Sequence, residues 1–172
     1  MPNANNEALF VVDENNVPLA PHQRGEAIAA GLWRRTSGGI VLDGRRGVVL
    51  CHKRAANKDE RPGVWVATFG GKTAPGEDPE GTATRELAEE FGIFVKRERL
   101  KFLGCLKSIE RRQFEYSFLV DVDGSNTAII PNDKEVAEFK WLDDASVVDR
   151  LTNDSGWFSY GFEIASLTAA RE

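Results

Sequence analysis

Three glutamates lie close together in the middle of the chain: Glu86, Glu89 and Glu90. If this segment is helical, residues three and four positions apart share one face, so the three carboxylates converge on one patch. Like charges at such positions repel each other, which indicates that a cation is bound there. Clustered oxygen ligands suit Mg²⁺ or Mn²⁺, ions that bridge carboxylates to phosphate oxygens while a phosphoanhydride bond breaks. The pattern therefore predicts a divalent-metal site for diphosphate chemistry.

The segment that carries these glutamates has recognisable helix boundaries. Asp78 is a favourable N-cap residue, Pro79 suits the first helical position, and Gly92 is a typical stop signal. A β-prone run at residues 64–69 precedes the helix and is predicted to be one strand, closed by the two glycines that follow it. The helix residues that recur four apart on another face, and are expected to pack on a sheet, are Ala83, Leu87 and Phe91.

Several neighbouring residues are suited to support such a site. Arg85 can pair with Glu77 or Glu89 and fix the orientation of that carboxylate. Gly71 offers a backbone carbonyl as a further metal ligand. Two basic residues flank the strand and loop that lead into the helix, and we expect them to contact substrate phosphate: Arg54 and Lys72. The sequence leaves open whether Glu115, on a later predicted strand, also reaches the site.

The whole segment resembles the Nudix box, the signature of the Nudix hydrolases. The nine matching positions are Gly71, Glu77, Arg85, Glu86, Leu87, Glu89, Glu90, Gly92 and Ile93. This resemblance implies an α/β fold, the Nudix α/β/α sandwich, in which a mixed β-sheet lies between helices. It also implies that Mg²⁺ or Mn²⁺ is required, and that water attacks phosphorus to cleave a nucleoside diphosphate linked to another moiety.

The resemblance assigns roles to individual residues. Glu86, Glu89 and Glu90, with the Gly71 carbonyl, are expected to hold the metal. Arg85 is expected to support them together with Glu77. In many Nudix proteins an acid in a late loop binds metal or orients the attacking water, and Glu135 occupies such a loop. The predicted catalytic residues are thus Glu86, Glu89, Arg85 and Glu135.

The rest of the chain is similar to the Nudix branch of type I isopentenyl-diphosphate isomerase, which makes proton transfer at an allylic carbon an alternative. The likeness comprises residues 11–15, 31–35, 53–65 and 135–142. These isomerases need a cysteine where this chain has Gly70. Three of their histidines correspond here to Lys72, Ala27 and Arg34. Isomerisation would lack its proton donor and metal-binding imidazoles, so hydrolysis is the preferred hypothesis.

A third hypothesis is a module that binds a nucleotide without cleaving it. Such a module would be expected to have lost acids of the box, and this chain has lost none. Hydrolysis of a small-molecule diphosphate therefore remains the interpretation that the residues favour over both alternatives.

Composition limits the partners of the chain. Its 172 residues, 41% of them hydrophobic, are one domain's worth, and the formal charge is −5. No Lys/Arg run exceeds a pair, so a nucleic acid polymer is not expected as a partner. The first residues are polar and no apolar run could span a bilayer, which favours a cytoplasmic protein with no membrane partner. Cys51 and Cys105 lie in separate apolar runs, so we expect buried thiols without a disulfide.

The pattern along the chain predicts a single domain over residues 1–172, with residues 1–31 as a strand and helix extension packed on it. Asp43-Gly44 is predicted to join two strands as a tight hairpin. A strand pair is expected around residues 110–112, then a strand from Val136, a helix opened by Asp143-Asp144, and a last helix at residues 157–170. Oligomeric state stays open, and a homodimer is retained as one alternative.

Overall fold

The computed structural model describes residues 7–160 together with Glu163 and Leu167. Three α-helices are present in this part of the chain: α1 (Arg24–Ala29), α2 (Pro79–Phe91) and α3 (Asp144–Asn153), with a 3-10 turn at Arg97–Arg99. The strands are β1 (Ala8–Leu9), β2 (Val11–Val12), β3 (His22–Gln23), β4 (Trp33–Asp43), β5 (Val48–Arg54), β6 (Trp65–Val66), β7 (Phe69–Lys72), β8 (Leu100–Ser108), β9 (Gln113–Asp121) and β10 (Val136–Asp143).

The main sheet is mixed and is organised around β4. Its continuous order is β10-β5-β4-β9-β8, while β2 and β7 also pair with β4 and β6 pairs with β5. The β4 and β9 strands run parallel, and the other neighbours in this sheet are antiparallel. The short β1 and β3 strands form a separate two-stranded sheet. The length of β4 allows it to contact several strands in turn, and its middle section lies between β7 and β9.

Helices cover both faces of this sheet. Successive residues of a strand point to opposite faces, and Val41 packs in a cluster with Leu87 and Phe91 of α2. The preceding residue, Ile40, packs instead in a cluster with Val147 of α3. Helix α2 therefore covers one face of the sheet, and helix α3 covers the other. The predicted α/β/α arrangement with a mixed sheet between helices is confirmed, as is the packing face of α2.

The close approach of three strands depends on two adjacent glycines of β4. A Cβ atom at Gly38 would lie 2.0 Å from the carbonyl oxygen of Phe69 in β7, and one at Gly39 would lie 2.0 Å from the carbonyl oxygen of Phe118 in β9. Neither backbone can move away without breaking its ladder. The absence of side chains here allows β7 to lie against β4.

The predicted single strand at residues 64–69 is instead two strands. Trp65 and Val66 pair with β5, after which the chain crosses to β4, where β7 begins at Phe69. The two glycines expected to end the strand continue it, because Gly70 pairs with Gly38 and the ladder runs on to Lys72. Local sequence cannot show this change of partner, which depends on the position of β4.

Other connections agree more closely with expectation. The strand pair β8–β9, the strand β10 and the helix α3 with its N-cap Asp143 are confirmed. The hairpin expected at Asp43-Gly44 is wider, since Asp43 pairs with Val48 and residues 44–47 form the loop. The expectation of a buried thiol is confirmed for Cys51 and is wrong for Cys105, which is exposed. Cys105 lies on β8, a strand at the end of the sheet order.

The amino-terminal segment is attached to the main sheet through β2, in which Val11 pairs with Arg34. A turn near residues 14–16 is closed by a hydrogen bond from Asp13 N to Val17 O, and the helix expected in the extension is present as α1. The division into one domain with an extension at residues 1–31 stays a prediction. Most of the last helix expected at residues 157–170 lies outside the described residues. No helix in the described part is long and apolar enough to cross a membrane.

Candidate active site

Helix α2 is fixed at both ends by the residues that predicted it. The Asp78 side chain accepts a hydrogen bond from Gly81 N at 2.8 Å, and Gly92 adopts the left-handed conformation with φ of 65°. The first turn is also tied to the sheet, because Ser37 Oγ of β4 donates to the Pro79 carbonyl at 2.7 Å. These contacts hold the glutamate face of α2 against β4 and β7.

A cavity of about 710 Å³ opens beside this face. Its size falls within the range of small-molecule sites in proteins. Walls come from α2, from β4, β7 and β9, and from the segments after β5 and before β10. Eight of the residues with predicted site roles line it: Arg54, Gly71, Lys72, Arg85, Glu86, Glu89, Glu90 and Glu135. Their individual roles stay predictions.

The three glutamates of α2 are not equivalent. The Glu86 and Glu89 side chains are 14% and 55% exposed, respectively, whereas Glu90 is only 6% exposed. Glu90 Oε1 accepts a hydrogen bond from Gly70 N at 3.3 Å, but Glu90 Oε2 is buried without a hydrogen-bond partner among the described residues. The shared helical face thus places one acid at the rim and two inside.

Burial governs the protonation of the two inner glutamates. It raises the pKa of Glu86 to about 7, although the neighbouring Arg85 guanidinium opposes the rise. Burial, reinforced by the nearby Glu86 carboxylate, raises the pKa of Glu90 to about 8. Two carboxylates that are costly to ionise in the protein alone are what a site for a cation requires, since a bound cation removes that cost.

Arg85 organises the acids around it more widely than the sequence predicted. Its guanidinium forms a two-point ion pair with Glu77, with distances of 2.7 and 3.0 Å. It also donates to Glu89 at 3.1 Å and to Glu86 at 2.8 Å. The prediction named Glu77 or Glu89 as partner; the structure shows both, and Glu86 as well. Because Arg85 also donates to the Lys72 carbonyl, it connects α2 to β7.

Glu77 holds this arrangement in place as an anion. Its carboxylate also accepts hydrogen bonds from Ala74 N at 3.0 Å and from Thr82 Oγ1 at 2.9 Å. Hydrogen bonds from Arg85 are the main cause that lowers the pKa of Glu77 from 4.5 to about 2. The loop before α2 is therefore closed on its own helix by a carboxylate that stays ionised at neutral pH.

We expect Glu77→Gln to destabilise the fold in a pH-dependent way. The folded-state pKa is depressed, so the stabilisation is fully present above about pH 4.5 and is lost as the pH falls towards about 2. The corresponding loss at pH 7 is about 1–2 kcal/mol, because solvent screens part of the interaction. Denaturant unfolding at pH 7 and pH 3 should show the gap between wild type and variant shrinking. Glu80→Gln on the same helix serves as control, and an equal gap at both pH values would contradict the prediction.

The remaining predicted residues of the cavity have contacts of their own. The Glu135 carboxylate is paired with Lys58 Nζ, and the Glu135 carbonyl accepts from Ala55 N at 3.0 Å. Arg54 Nε donates to the Glu60 carbonyl at 3.1 Å. Lys72 Nζ lies 4.0 Å from Glu7, and burial lowers the Lys72 pKa.

The acids of α2 offer carboxylate oxygens, the type of ligand that divalent cations such as Mg²⁺ and Mn²⁺ prefer. In the described part of the chain, no three carboxylate, imidazole or thiolate groups are already gathered as a metal cage. The buried, unpartnered Glu90 Oε2 nevertheless needs a cation or a donor. A Cβ atom at Gly71 would lie 2.2 Å from Glu86 Oε1, so only glycine leaves room for that carboxylate. Glu86, Glu89 and Glu90 are the residues that would hold the ion.

Other residues of the cavity were missed by sequence reasoning. Lys58 and Arg24 line it, as do Tyr160 and the polar row of β9 that includes Glu115. A lysine or arginine in a loop carries no sequence signal of its position. Glu115 does reach the cavity, a question that the sequence left open.

The positions where an isomerase would need a thiol and imidazoles carry other chemistry. Gly70 donates its N–H to Glu90, and the Arg34 guanidinium donates to the Arg111 carbonyl. Ala27 is buried in a small apolar cluster. His52 does line the cavity, but burial lowers its pKa to about 3, so its ring is neutral at physiological pH.

Known proteins share this fold. Residues 32–159 match the family model described as the NUDIX domain, so the chain belongs to the Nudix family. It is a Nudix-type pyrophosphohydrolase, in agreement with relatives named as Nudix hydrolases. One of them, the uncharacterized Nudix hydrolase orf19 of Rhodococcus erythropolis, is 34% identical over 92 residues, which are 54% of this chain and 50% of that protein.

Two further comparisons cover nearly the whole chain. Isopentenyl-diphosphate Delta-isomerase of Burkholderia multivorans is 26% identical over 157 residues, 91% of this chain and 89% of the relative. The crystal structure of DR0079 from Deinococcus radiodurans superposes with a TM-score of 0.75 at 18% identity, covering 96% of this chain and 100% of that one. The latter likeness shows the fold alone.

Proposed function

We propose that the chain hydrolyses the diphosphate linkage of a nucleoside diphosphate joined to another moiety, with Mg²⁺ or Mn²⁺ held by Glu86, Glu89 and Glu90. The observation that carries this proposal is the buried Glu90 carboxylate, which has one oxygen without a partner among the described residues and lies near a second carboxylate, that of the largely buried Glu86. Glu86, Glu89 and Glu90 would hold the ion, and the chemistry it would supply there is polarisation of a phosphoryl oxygen and activation of water as a nucleophile.

The other residues of the site position the metal ligands, orient water and bind phosphate. Arg85, fixed by Glu77, holds Glu86 and Glu89 in position. Glu135 orients the attacking water. Lys72 and Arg54 supply positive charge for phosphate oxygens, and Lys58, paired with Glu135, adds a third cation. Hydrolysis forms a bond between water oxygen and phosphorus, breaks the bridging P–O bond, and yields two phosphate-bearing products.

A substrate panel tests this proposal. Purified protein with Mg²⁺ or Mn²⁺ is incubated with ADP-ribose, dinucleotides, sugar nucleotides, nucleoside triphosphates and prenyl diphosphates, and the phosphate products are quantified. We expect metal-dependent cleavage of at least one nucleoside diphosphate derivative, abolished by EDTA. The proposal fails if none of these compounds is cleaved with either metal.

The isomerase remains a second candidate because similarity to the Burkholderia enzyme extends over 91% of the chain. The same incubations decide it. We expect isopentenyl diphosphate to yield no dimethylallyl diphosphate, because neither Gly70 nor Lys72 can replace a thiol acid or an imidazole ligand. Formation of dimethylallyl diphosphate at a rate comparable to hydrolysis would favour the isomerase.

A further inference from the structure

Two cations of the chain pair with acids that we expect to act at the metal ion, and they are held very differently. The Arg85 guanidinium is fixed by its two-point ion pair with Glu77 and by its hydrogen bond to the Lys72 carbonyl. The partner of the Lys58 ammonium among the described residues is the Glu135 carboxylate. A lysine carries its charge on a flexible stem with rotatable donors. Lys58 is therefore the more easily displaced of the two cations.

Backbone hydrogen bonds place the Lys58–Glu135 pair beside the buried end of the glutamate face. Asn132 N donates to the Glu90 carbonyl of α2 at 2.9 Å, and Glu135 N donates to the Asn132 carbonyl at 2.9 Å. The loop after β5 is attached from its own side, because Ala55 N donates to the Glu135 carbonyl at 3.0 Å and Lys58 N donates to the Ala55 carbonyl at 3.3 Å. The backbones of Lys58 and Glu135 are thus anchored to α2, while their side chains can still move.

The charges of this pair act on the inner glutamates of α2. Burial is the main cause of the raised pKa of Glu86 and Glu90, and the Glu135 carboxylate adds to the rise in both. The Lys58 ammonium has the opposite effect on the pKa of Glu90. Glu135 therefore adds a third negative charge to the two inner glutamates, and Lys58 compensates part of it.

We propose that Lys58 is an internal counter-ion that competes with the metal: its ammonium neutralises Glu135 while the ion is absent and is displaced when the ion binds. This inference rests on the proposed function, which places the ion at the glutamates of α2. A metal ion and an ammonium group beside the same acids repel each other. Both side chains line the cavity and are partly exposed, so the displaced ammonium can contact a substrate phosphate, and Glu135 becomes available to water.

A double-mutant cycle on metal affinity tests this competition without any substrate. The Kd for Mn²⁺ is measured by isothermal titration calorimetry for wild type, Lys58→Met, Glu135→Gln and the double variant. We expect Lys58→Met to bind Mn²⁺ about tenfold more tightly than wild type, within the usual range of coupling between two binding events. In the Glu135→Gln background the gain should fall below about threefold, because Lys58 then has no carboxylate that holds it near the ion.

Two other lysines serve as controls. Lys53 lies on β5 but is not among the residues that line the cavity, so Lys53→Met should leave the Kd unchanged. Lys72 lies in the cavity near Glu7, so any gain from Lys72→Met should be the same with and without Glu135→Gln. The rise in melting temperature that Mn²⁺ produces should follow the same order as the affinities.

Several results overturn the inference. Equal Kd values for wild type and Lys58→Met would do so, as would a gain of the same size in the Glu135→Gln background, or no binding of Mn²⁺ at millimolar concentration. If Lys58→Met does not fold, as judged by circular dichroism, Lys58→Gln replaces it with the same expectations. The hydrolase proposal fails separately: if the substrate panel shows no cleavage, the Mn²⁺ affinities alone still decide the role of Lys58.

Discussion

Glu90→Gln is expected to lower metal-dependent phosphate release by about 10²–10³-fold, the typical cost of removing one preorganised electrostatic group. The substitution keeps the shape of the side chain, and an amide oxygen can still accept from Gly70 N. It removes the charge that faces Glu86. Initial rates at saturating Mg²⁺ and Mn²⁺ measure the effect, with Glu80→Gln as a control that changes an acid of the same helix outside the cavity.

The same substitution should leave stability unchanged or raise it. Burial raises the pKa of Glu90 to about 8, which means that the folded protein without a cation disfavours the ionised form. A neutral glutamine avoids this cost. Thermal unfolding in EDTA should therefore show a melting temperature for the variant no lower than that of wild type. A variant with full activity would remove Glu90 from the mechanism, and a strongly destabilised variant would contradict the account of its burial.

Gly71→Ala is expected to lower activity by about 10²-fold although the change adds a single methyl group. The new Cβ would lie 2.2 Å from Glu86 Oε1 and 2.4 Å from its carboxyl carbon, so the Glu86 side chain must move. A misplacement of about 1 Å in a catalytic group can cost this much. The atom that must give way is the end of a side chain, so the fold should survive with a small change in melting temperature.

The matched control for this variant is Gly44→Ala. Gly44 lies in the loop between β4 and β5, and its nearest neighbour would be Asp121 Oδ1 at 3.3 Å, again the end of a side chain. Unaltered kcat and metal affinity are expected there. Equal activity of Gly71→Ala and wild type would show that Glu86 tolerates displacement, and that its observed position is not required.

The sequence predicts correctly those structural features whose signals are local. The bounds of α2 follow from Asp78, Pro79 and Gly92, because capping acts within one turn of the helix. The convergence of the glutamates follows from helical periodicity alone. The sequence could not predict that Glu89 lies at the rim of the cavity while Glu90 is buried against Gly70. This difference in exposure depends on where the sheet lies relative to the helix.

The larger errors arise where the chain changes partner. Residues 64–69 have one uniform β-prone composition, yet β6 pairs with β5 and β7 with β4. Only the long-range position of β4 determines this change. In the same way, the sequence placed Glu115 on a strand but left open whether it reaches the site, because its burial results from the elements that enclose the cavity.

Gly38 has a consequence beyond strand packing. β7, which is expected to contact phosphate through Lys72, lies on one side of it, and β9 lies on the other. Gly38 has no side chain and separates β7 from β9. A substitution in β9 therefore does not change the residues that contact β7. We therefore expect the β9 wall of the cavity to tolerate substitution with little effect on the proposed metal site.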